Sequence, residues 1–286
     1  MDRVGTALVL TSAVGFGTLG IFGELAAAAG LSIPTVLAYR FVLATLFVWV
    51  VLGVRGDLRR LRGRALAVGL ALGTLGYAVM SGLYFWGLAF MTAGLVGIVL
   101  YTYPVFVVGA AALGLDEPVT RRTVAALGAA LAGVALVTGA DPVGADPRGV
   151  AVVLAAALVY AGYIAASRSA LATVDPRVLT AHVLPAAAVT YLAFGTATGR
   201  LAVPATGYEW GLIAAIAVVA TALPIFTFFA GLRRIGASRA SIVSTVEPVV
   251  TLLLGAAVLD EPITVATVVG GALVLGGVLL VQIGDA

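Results

Sequence analysis

Glu247 is the one acidic residue at the centre of a long apolar run. A charged group in hydrocarbon costs about 3 kcal/mol on insertion scales, so an acid placed there is either satisfied by a neighbour or put to use. Apolar surroundings disfavour the charged form of a carboxylate, which suits a group that carries a proton. Pro248 follows it and has no N–H, so the carbonyl of Ser244, one turn earlier, loses its helical donor. A carboxylate beside a loosened helix can bind a substrate amine or a proton. The structural alternative is a hydrogen bond to an adjacent helix that only holds the bundle together.

Arg40 is the second charge inside an apolar run, roughly two turns from its start, and Glu24 lies at a similar depth in the preceding run. An ion pair between them would neutralise both; alternatively Arg40 holds the carboxylate of a substrate. The aromatic residues Phe16, Tyr77, Trp86, Tyr101, Tyr103, Tyr160 and Tyr163 are candidate lining for a cavity, with Trp86 also suited to an interfacial belt. His182 is the only histidine and cysteine is absent. With no HExxH pattern, no nucleophile–base pair and no lysine for a phosphate loop, the chain offers little to an enzyme, a metal centre or an ATPase, and no cofactor is expected.

The elements that carry these residues follow from composition. The 286 residues are 62% hydrophobic and only 10% charged, whereas soluble domains carry about 25% charge. Runs of roughly 20 apolar residues suffice to span a bilayer. They are expected at Val4–Ala26, Ile33–Gly53, Ala65–Leu88, Ala93–Leu115, Thr120–Thr138, Gly149–Ala166, Val178–Thr198, Trp210–Leu232, Ala237–Leu259 and Thr264–Ile283. The first is read as a retained span rather than a cleaved leader, since Glu24 sits in the would-be cleavage zone. The basic residues are all arginine. With the N-terminus in the cytoplasm, 13 of the 16 fall inside, Arg148 and Arg200 fall outside and Arg40 lies within a span. That is the positive-inside bias of a cell-membrane protein with both termini cytoplasmic, and it accounts for the basic pI without nucleic acid as a partner.

The chain repeats itself at a shift of 144 residues: between Ala93 and Gly139, 18 of 47 positions are identical. Asp116-Glu117-Pro118 meets Asp260-Glu261-Pro262, Pro104 meets Pro248, and Phe16 meets Tyr160. The Asp-Glu-Pro copies read as turn formers, with the Asp as an acidic cap before an early proline. Glu247 meets Tyr103, so the acid belongs to one half only. Five spans per half is an odd number, so the second half enters the membrane inverted. The expected fold is therefore an all-α membrane protein of ten transmembrane helices in two inverted five-helix repeats, residues 1–139 and 149–284. Inverted repeats are common in secondary transporters, with the site at the repeat interface near mid-membrane.

Two stretches share one pattern: Tyr103-Pro104, Leu115-Asp116-Glu117-Pro118, Gly128 and Gly133, then Glu247-Pro248, Leu259-Asp260-Glu261-Pro262, Gly271 and Gly276-Gly277. With Arg40 in Ala38-Tyr39-Arg40-Phe41 and Phe16-Gly17 in place of the family's tryptophan-glycine pair in the first helix, the chain resembles the drug/metabolite transporter superfamily, specifically its ten-helix proteins with two EamA-type domains. The resemblance implies a carrier, most often an exporter, of amino acids, drugs or other small metabolites. The expected substrate-binding set is Phe16, Arg40, Tyr77, Tyr101, Tyr103, Tyr160, Tyr163, Ser244 and Glu247, with Glu247 as the proton-coupling group and no metal. Expected partners are a small-molecule substrate, membrane lipid and protons. Monomer and homodimer stay open, as does the alternative of a sensor or passive channel on the same fold.

Overall fold

The computed structural model describes residues 2–103, 106, 121–140, 146–171, 173–235 and 243–284. Among these the chain is helical, with no β-strand. The helices are α1 (Arg3–Gly17), α2 (Leu19–Ala28), α3 (Ile33–Val54), α4 (Gly63–Ala71), α5 (Val79–Gly87), α6 (Ala93–Leu100), α7 (Arg121–Ala140), α8 (Pro147–Leu171), α9 (Pro176–Ala197), α10 (Gly207–Ala217), α11 (Leu223–Ile235), α12 (Val246–Leu259) and α13 (Val265–Gly284). A π-helical stretch, Leu72–Ala78, joins α4 to α5, and another, Val218–Ala222, joins α10 to α11.

Among the described residues, six continuous rods are long and apolar enough to cross a membrane: Arg3–Ala28, Ile33–Val54, Gly63–Gly87, Pro147–Ser167, Pro176–Ala197 and Gly207–Leu232. Each overlaps an expected span. Val246–Leu259 and Val265–Leu280 are shorter apolar helices, and α7 covers the expected span at Thr120–Thr138. The far part of the expected Ala93–Leu115 span and the start of the expected Ala237–Leu259 span lie outside the described residues. Large apolar side chains point outward along the rods, among them Val50, Leu75 and Val189, as a bundle solvated by lipid requires.

The helix starts follow local chemistry. Ser32 caps α3 by accepting from the Thr35 N–H, with Pro34 in the first turn. Thr206 and Glu209 form a reciprocal capping box at α10: the Glu209 N–H donates to Thr206 Oγ1 at 3.2 Å and the Ala205 N–H to Glu209 Oε2 at 2.7 Å. Asp175 caps α9 ahead of Pro176. At one end of the bundle Arg177 pairs with Asp57 at 3.0 Å and Arg234 with Asp2 at 2.9 Å. His182 belongs to the same fastening: its Nε2 accepts from the Leu61 N–H at 3.2 Å and its Nδ1 lies 2.8 Å from the Val178 carbonyl.

Helix pairing obeys the 144-residue shift. α7 packs on α13, its own repeat copy, and α3 on α9 likewise, while α6 packs on α12. α1 packs on α11, and its copy α8 packs on α5, the copy of α11. Glycine makes the closest seam possible: a Cβ on Gly133 would stand 2.5 Å from the Gly270 carbonyl. The two π-helical stretches also correspond, since 74–78 shifted by 144 gives 218–222. Pro224, two residues past the end of the second stretch, removes an N–H from the ladder there.

Candidate functional site

Three helix interruptions meet near Glu247. α12 begins at Val246 after a turn at Thr245, which puts Glu247 in its first turn. α6 ends at Leu100 with a turn at Tyr101–Thr102, and Thr102 and Val246 are repeat equivalents. α1 gives way to α2 at Thr18, and there the Thr251 hydroxyl of α12 donates to the Gly17 carbonyl at 3.0 Å. Gly17 allows this approach, since a Cβ would stand 3.1 Å from the Glu247 carbonyl and 2.8 Å from Val250.

The Tyr101 hydroxyl donates to the Ser244 carbonyl and lies 3.4 Å from Glu247 Oε2. The carbonyl that Pro248 strips of its helical donor is thus taken by a side chain from the other half. From Tyr101 the rings run on in sequence. Tyr101 meets Tyr103 at 5.7 Å, Tyr103 meets Tyr160 at 4.6 Å, Tyr160 meets Tyr163 at 6.2 Å and Tyr163 meets Tyr77 at 5.8 Å. Tyr77 meets Phe41 at 5.5 Å, and Phe41 lies under the Arg40 guanidinium at 4.9 Å. Tyr160 and Tyr163 share one face of α8, three residues apart. Tyr103, Tyr160, Tyr163, Tyr77 and Glu247 are all half-buried. The row joins the acid at one end to the buried cation at the other. Aromatic faces attract an ammonium and a carboxylate pairs with it, while tyrosine hydroxyls both donate and accept.

Two expected members stand apart from the row. Phe16 is half-buried on α1, one residue before the Gly17 contact, and makes no ring contact among the described residues. Trp86 is half exposed on α5, and among the described residues its ring meets Phe90, at 6.1 Å, away from the row.

The Arg40–Glu24 ion pair is not formed. Arg40 is 1% exposed, its Nε donates to Thr221 Oγ1 at 2.9 Å, and Phe85 adds a second aromatic face at 5.7 Å. Glu24 instead helps line an open cavity of about 440 Å³ together with Leu88, Phe90, Met91, Thr92, Leu259 and Glu261. The second Asp-Glu-Pro copy does form the turn between α12 and α13, but the cap assigned to its Asp needs correction. Glu261 reaches across to the start of α6 and accepts from the Ala93 N–H at 2.7 Å and the Gly94 N–H at 3.2 Å. Asp260 caps no helix start; it closes α12 with φ 55°. Thr264 accepts from the Thr267 N–H at the start of α13. The first copy, Asp116-Glu117-Pro118, lies outside the described residues.

Sequence reading missed Thr221, Phe41, Phe85 and the cross-half role of Glu261. Thr221 had a signal available, since it is the repeat equivalent of Tyr77. Glu261 had none, because a cap supplied from 168 residues away leaves no local pattern.

A family model for EamA-like transporters matches residues 3–139 and, a second time, residues 147–283. The chain belongs to the EamA-like transporter family. Its relatives carry no more specific assignment. An uncharacterized transporter, YcbK, of Bacillus subtilis (strain 168) is 29% identical over 98% of this chain and 92% of its own length. An uncharacterized transporter of Archaeoglobus fulgidus is 30% identical over 88% of this chain and 89% of its own length. A crystal structure of a protein 22% identical superposes with a TM-score of 0.69, covering 99% of this chain and 98% of that one, which shows a shared fold. With its apolar rods, this EamA-like protein is a multi-pass membrane protein of a transporter family.

Proposed function

We propose that this EamA-like protein is a secondary transporter that exports amino acids or similar small metabolites by alternating access, coupled to protons through Glu247. In this reading ten helices form two inverted five-helix halves in the cell membrane, with both termini cytoplasmic. The substrate occupies the space bounded by Tyr101, Tyr103, Tyr160, Tyr163 and Tyr77, with its amine towards Glu247. The observation that carries the reading is the placement of Glu247. It is a half-buried carboxylate in the first turn of a helix that starts beside two other helix interruptions, facing a tyrosine row built from both halves. Interrupted helices at a repeat interface are where transporters place substrate and coupling-ion sites. A carboxylate that meets either an amine or a proton makes the two compete, and such competition drives antiport.

The test is efflux from proteoliposomes loaded with mixed amino acids and metabolites under an imposed pH gradient, read by mass spectrometry for the wild type and Glu247→Gln. The expected result is gradient-dependent loss of one solute class from wild-type vesicles and none from the variant. Efflux indifferent to both the gradient and Glu247 would mark a passive channel. Absence of any flux from folded protein would favour a sensor.

A further inference from the structure

Among the described residues, Arg40 is the largest fully buried side chain and a cation, and no carboxylate faces it. Its Nη1 has no hydrogen-bond partner. An uncompensated buried charge is costly, and two phenylalanine faces at 4.9 and 5.7 Å offset only part of that cost. A guanidinium with one nitrogen engaged and another idle is arranged for a partner it does not hold in this state.

The candidate partner follows from position. Thr221, which accepts from Nε, sits in the π-helical stretch Val218–Ala222; its own hydroxyl donates to the Ile216 carbonyl at 2.8 Å, five residues back. The repeat equivalent of Thr221 is Tyr77, in the other π-helical stretch, Leu72–Ala78. Tyr77 adjoins the same guanidinium within side-chain hydrogen-bonding reach, while Nη1 itself stays without a partner. Arg40 itself has no counterpart, since residue 184 is leucine. One unpaired cation therefore stands between two hydroxyls that the repeat makes equivalent, each carried on a π-helical stretch. Such stretches recur at functional sites in helices, and a π turn can revert to α geometry by shifting one residue's register. The other groups around the guanidinium are Tyr84, set against Gly20 of α2, and Tyr191, whose hydroxyl donates to the Ala78 carbonyl at 2.8 Å. The Tyr191 hydroxyl is already committed to a neighbour, and Tyr84 has no hydroxyl counterpart in the other half, since residue 228 is phenylalanine.

The geometry points to Arg40 as the pivot of the conformational cycle: its guanidinium is held by Thr221 in the state seen here and is handed to Tyr77 when the two halves exchange conformations. This rests on the alternating-access reading above. It makes Arg40 a positioning residue that reads which half is engaged, with no contact to substrate required. The inference also explains why the second span carries a cation without a nearby acid: an acid would hold it in one state.

The test compares Thr221→Val, Thr221→Ser and Tyr77→Phe in full-length protein. The chain has no cysteine, so introduced pairs label uniquely: Ala89 with Ala205 at one end, and Arg59 with Thr173 at the other. Distances between spin labels report the ratio of the two states. Thr221→Val is expected to shift that ratio about tenfold away from the state described here, the weight of one charge-assisted hydrogen bond. Tyr77→Phe should shift it towards this state, and Thr221→Ser should match the wild type. Shifts in the same direction, or none, would overturn the pivot while leaving transport intact. A wild type that shows a single distance distribution under every gradient would instead overturn alternating access itself. Should Thr221→Val fail to fold, amide exchange in the wild type decides. Protection in 72–78 and 218–222 should change reciprocally when the gradient is reversed, and a parallel change refutes the exchange.

Discussion

The Glu261 cap allows a test in which one substitution changes sign. The carboxylate accepts from the Ala93 and Gly94 N–H groups at 2.7 and 3.2 Å, at the N-terminus of a helix in the other half. Removing an N-cap costs about 1–2 kcal/mol, and a charge at a helix N-terminus adds about 0.3–1 kcal/mol. Glu261→Ala should therefore destabilise by about 2 kcal/mol, and Glu261→Gln, which keeps one neutral acceptor, by about half that. Gly255 is the structural partner of this cap: the three nearest heavy atoms to a Cβ placed there all belong to Glu261, and Oε2 would overlap it. Gly255→Ala in the wild type expels the carboxylate and should cost about as much as Glu261→Ala. In a Glu261→Ala background the obstruction is gone, and alanine in a helix interior is better than glycine by about 0.5–1 kcal/mol. The same substitution should then stabilise. Reversible unfolding in mixed micelles, with amide exchange at Ala93 and Gly94, reads both effects. A Gly255→Ala change that keeps its sign in both backgrounds would refute the cap as the reason for that glycine, and additive single effects would refute the coupling.

Further outcomes are specific. Glu247→Gln should fold as the wild type and lose gradient-dependent efflux; gradient-driven efflux that persists in the variant removes proton coupling from this residue. Gly133→Ala, whose Cβ would stand 2.5 Å from the Gly270 carbonyl, should lower stability by about 1–3 kcal/mol, whereas Gly128→Ala, with nothing within 4 Å, should be neutral or stabilising in the same unfolding assay. The Asp2 carboxyl is held below its usual range by the Gly5 N–H and then by Arg234. A depressed folded-state value means its stabilising contribution is present above the unfolded value and is lost as pH falls through the folded one. Acidification below the carboxylate range should therefore release the start of α1, seen as faster Gly5 amide exchange, and Asp2→Asn should abolish that step.

How much of this could be read beforehand depends on whether the physics is local. Spans are local: twenty apolar residues between arginines announce themselves, and the six long rods lie where hydropathy put them. The break between the expected spans Ala65–Leu88 and Ala93–Leu115 was legible from length alone, since about 50 uncharged residues are too many for one span, and Thr92 caps α6 one residue before the expected start. The loss of the Ser244 donor was legible because proline chemistry reaches one turn back and no further. Which hydroxyl then takes that carbonyl was not, since Tyr101 arrives from 143 residues away. The same division separates Glu247, found from its own surroundings, from Arg40, whose expected ion pair with Glu24 assumed that equal depth on successive helices means contact. In the structure α3 turns Arg40 towards the second π-helical stretch, to which only the 144-residue repeat connects it.

The repeat therefore carries more mechanism than any single residue does. It pairs the helices, matches the two π-helical stretches, and sets Tyr77 opposite Thr221 across one cation. At the two ends of the tyrosine row the halves differ in charge: Glu247 against Tyr103, and Arg40 against Leu184. A symmetric scaffold supplies two conformations of nearly equal energy, and a charge present in only one half is what a proton or a substrate can use to favour one of them. The two asymmetric charges stand at opposite ends of a single row of tyrosines. A change of protonation at Glu247 thus has a contiguous packed path to the cation that distinguishes the halves. If that path carries the coupling, Tyr160→Ala, which breaks the row at its 4.6 Å contact with Tyr103, should leave both states populated and make their ratio insensitive to the pH gradient. A ratio that still follows the gradient in that variant would show that the acid and the cation act independently.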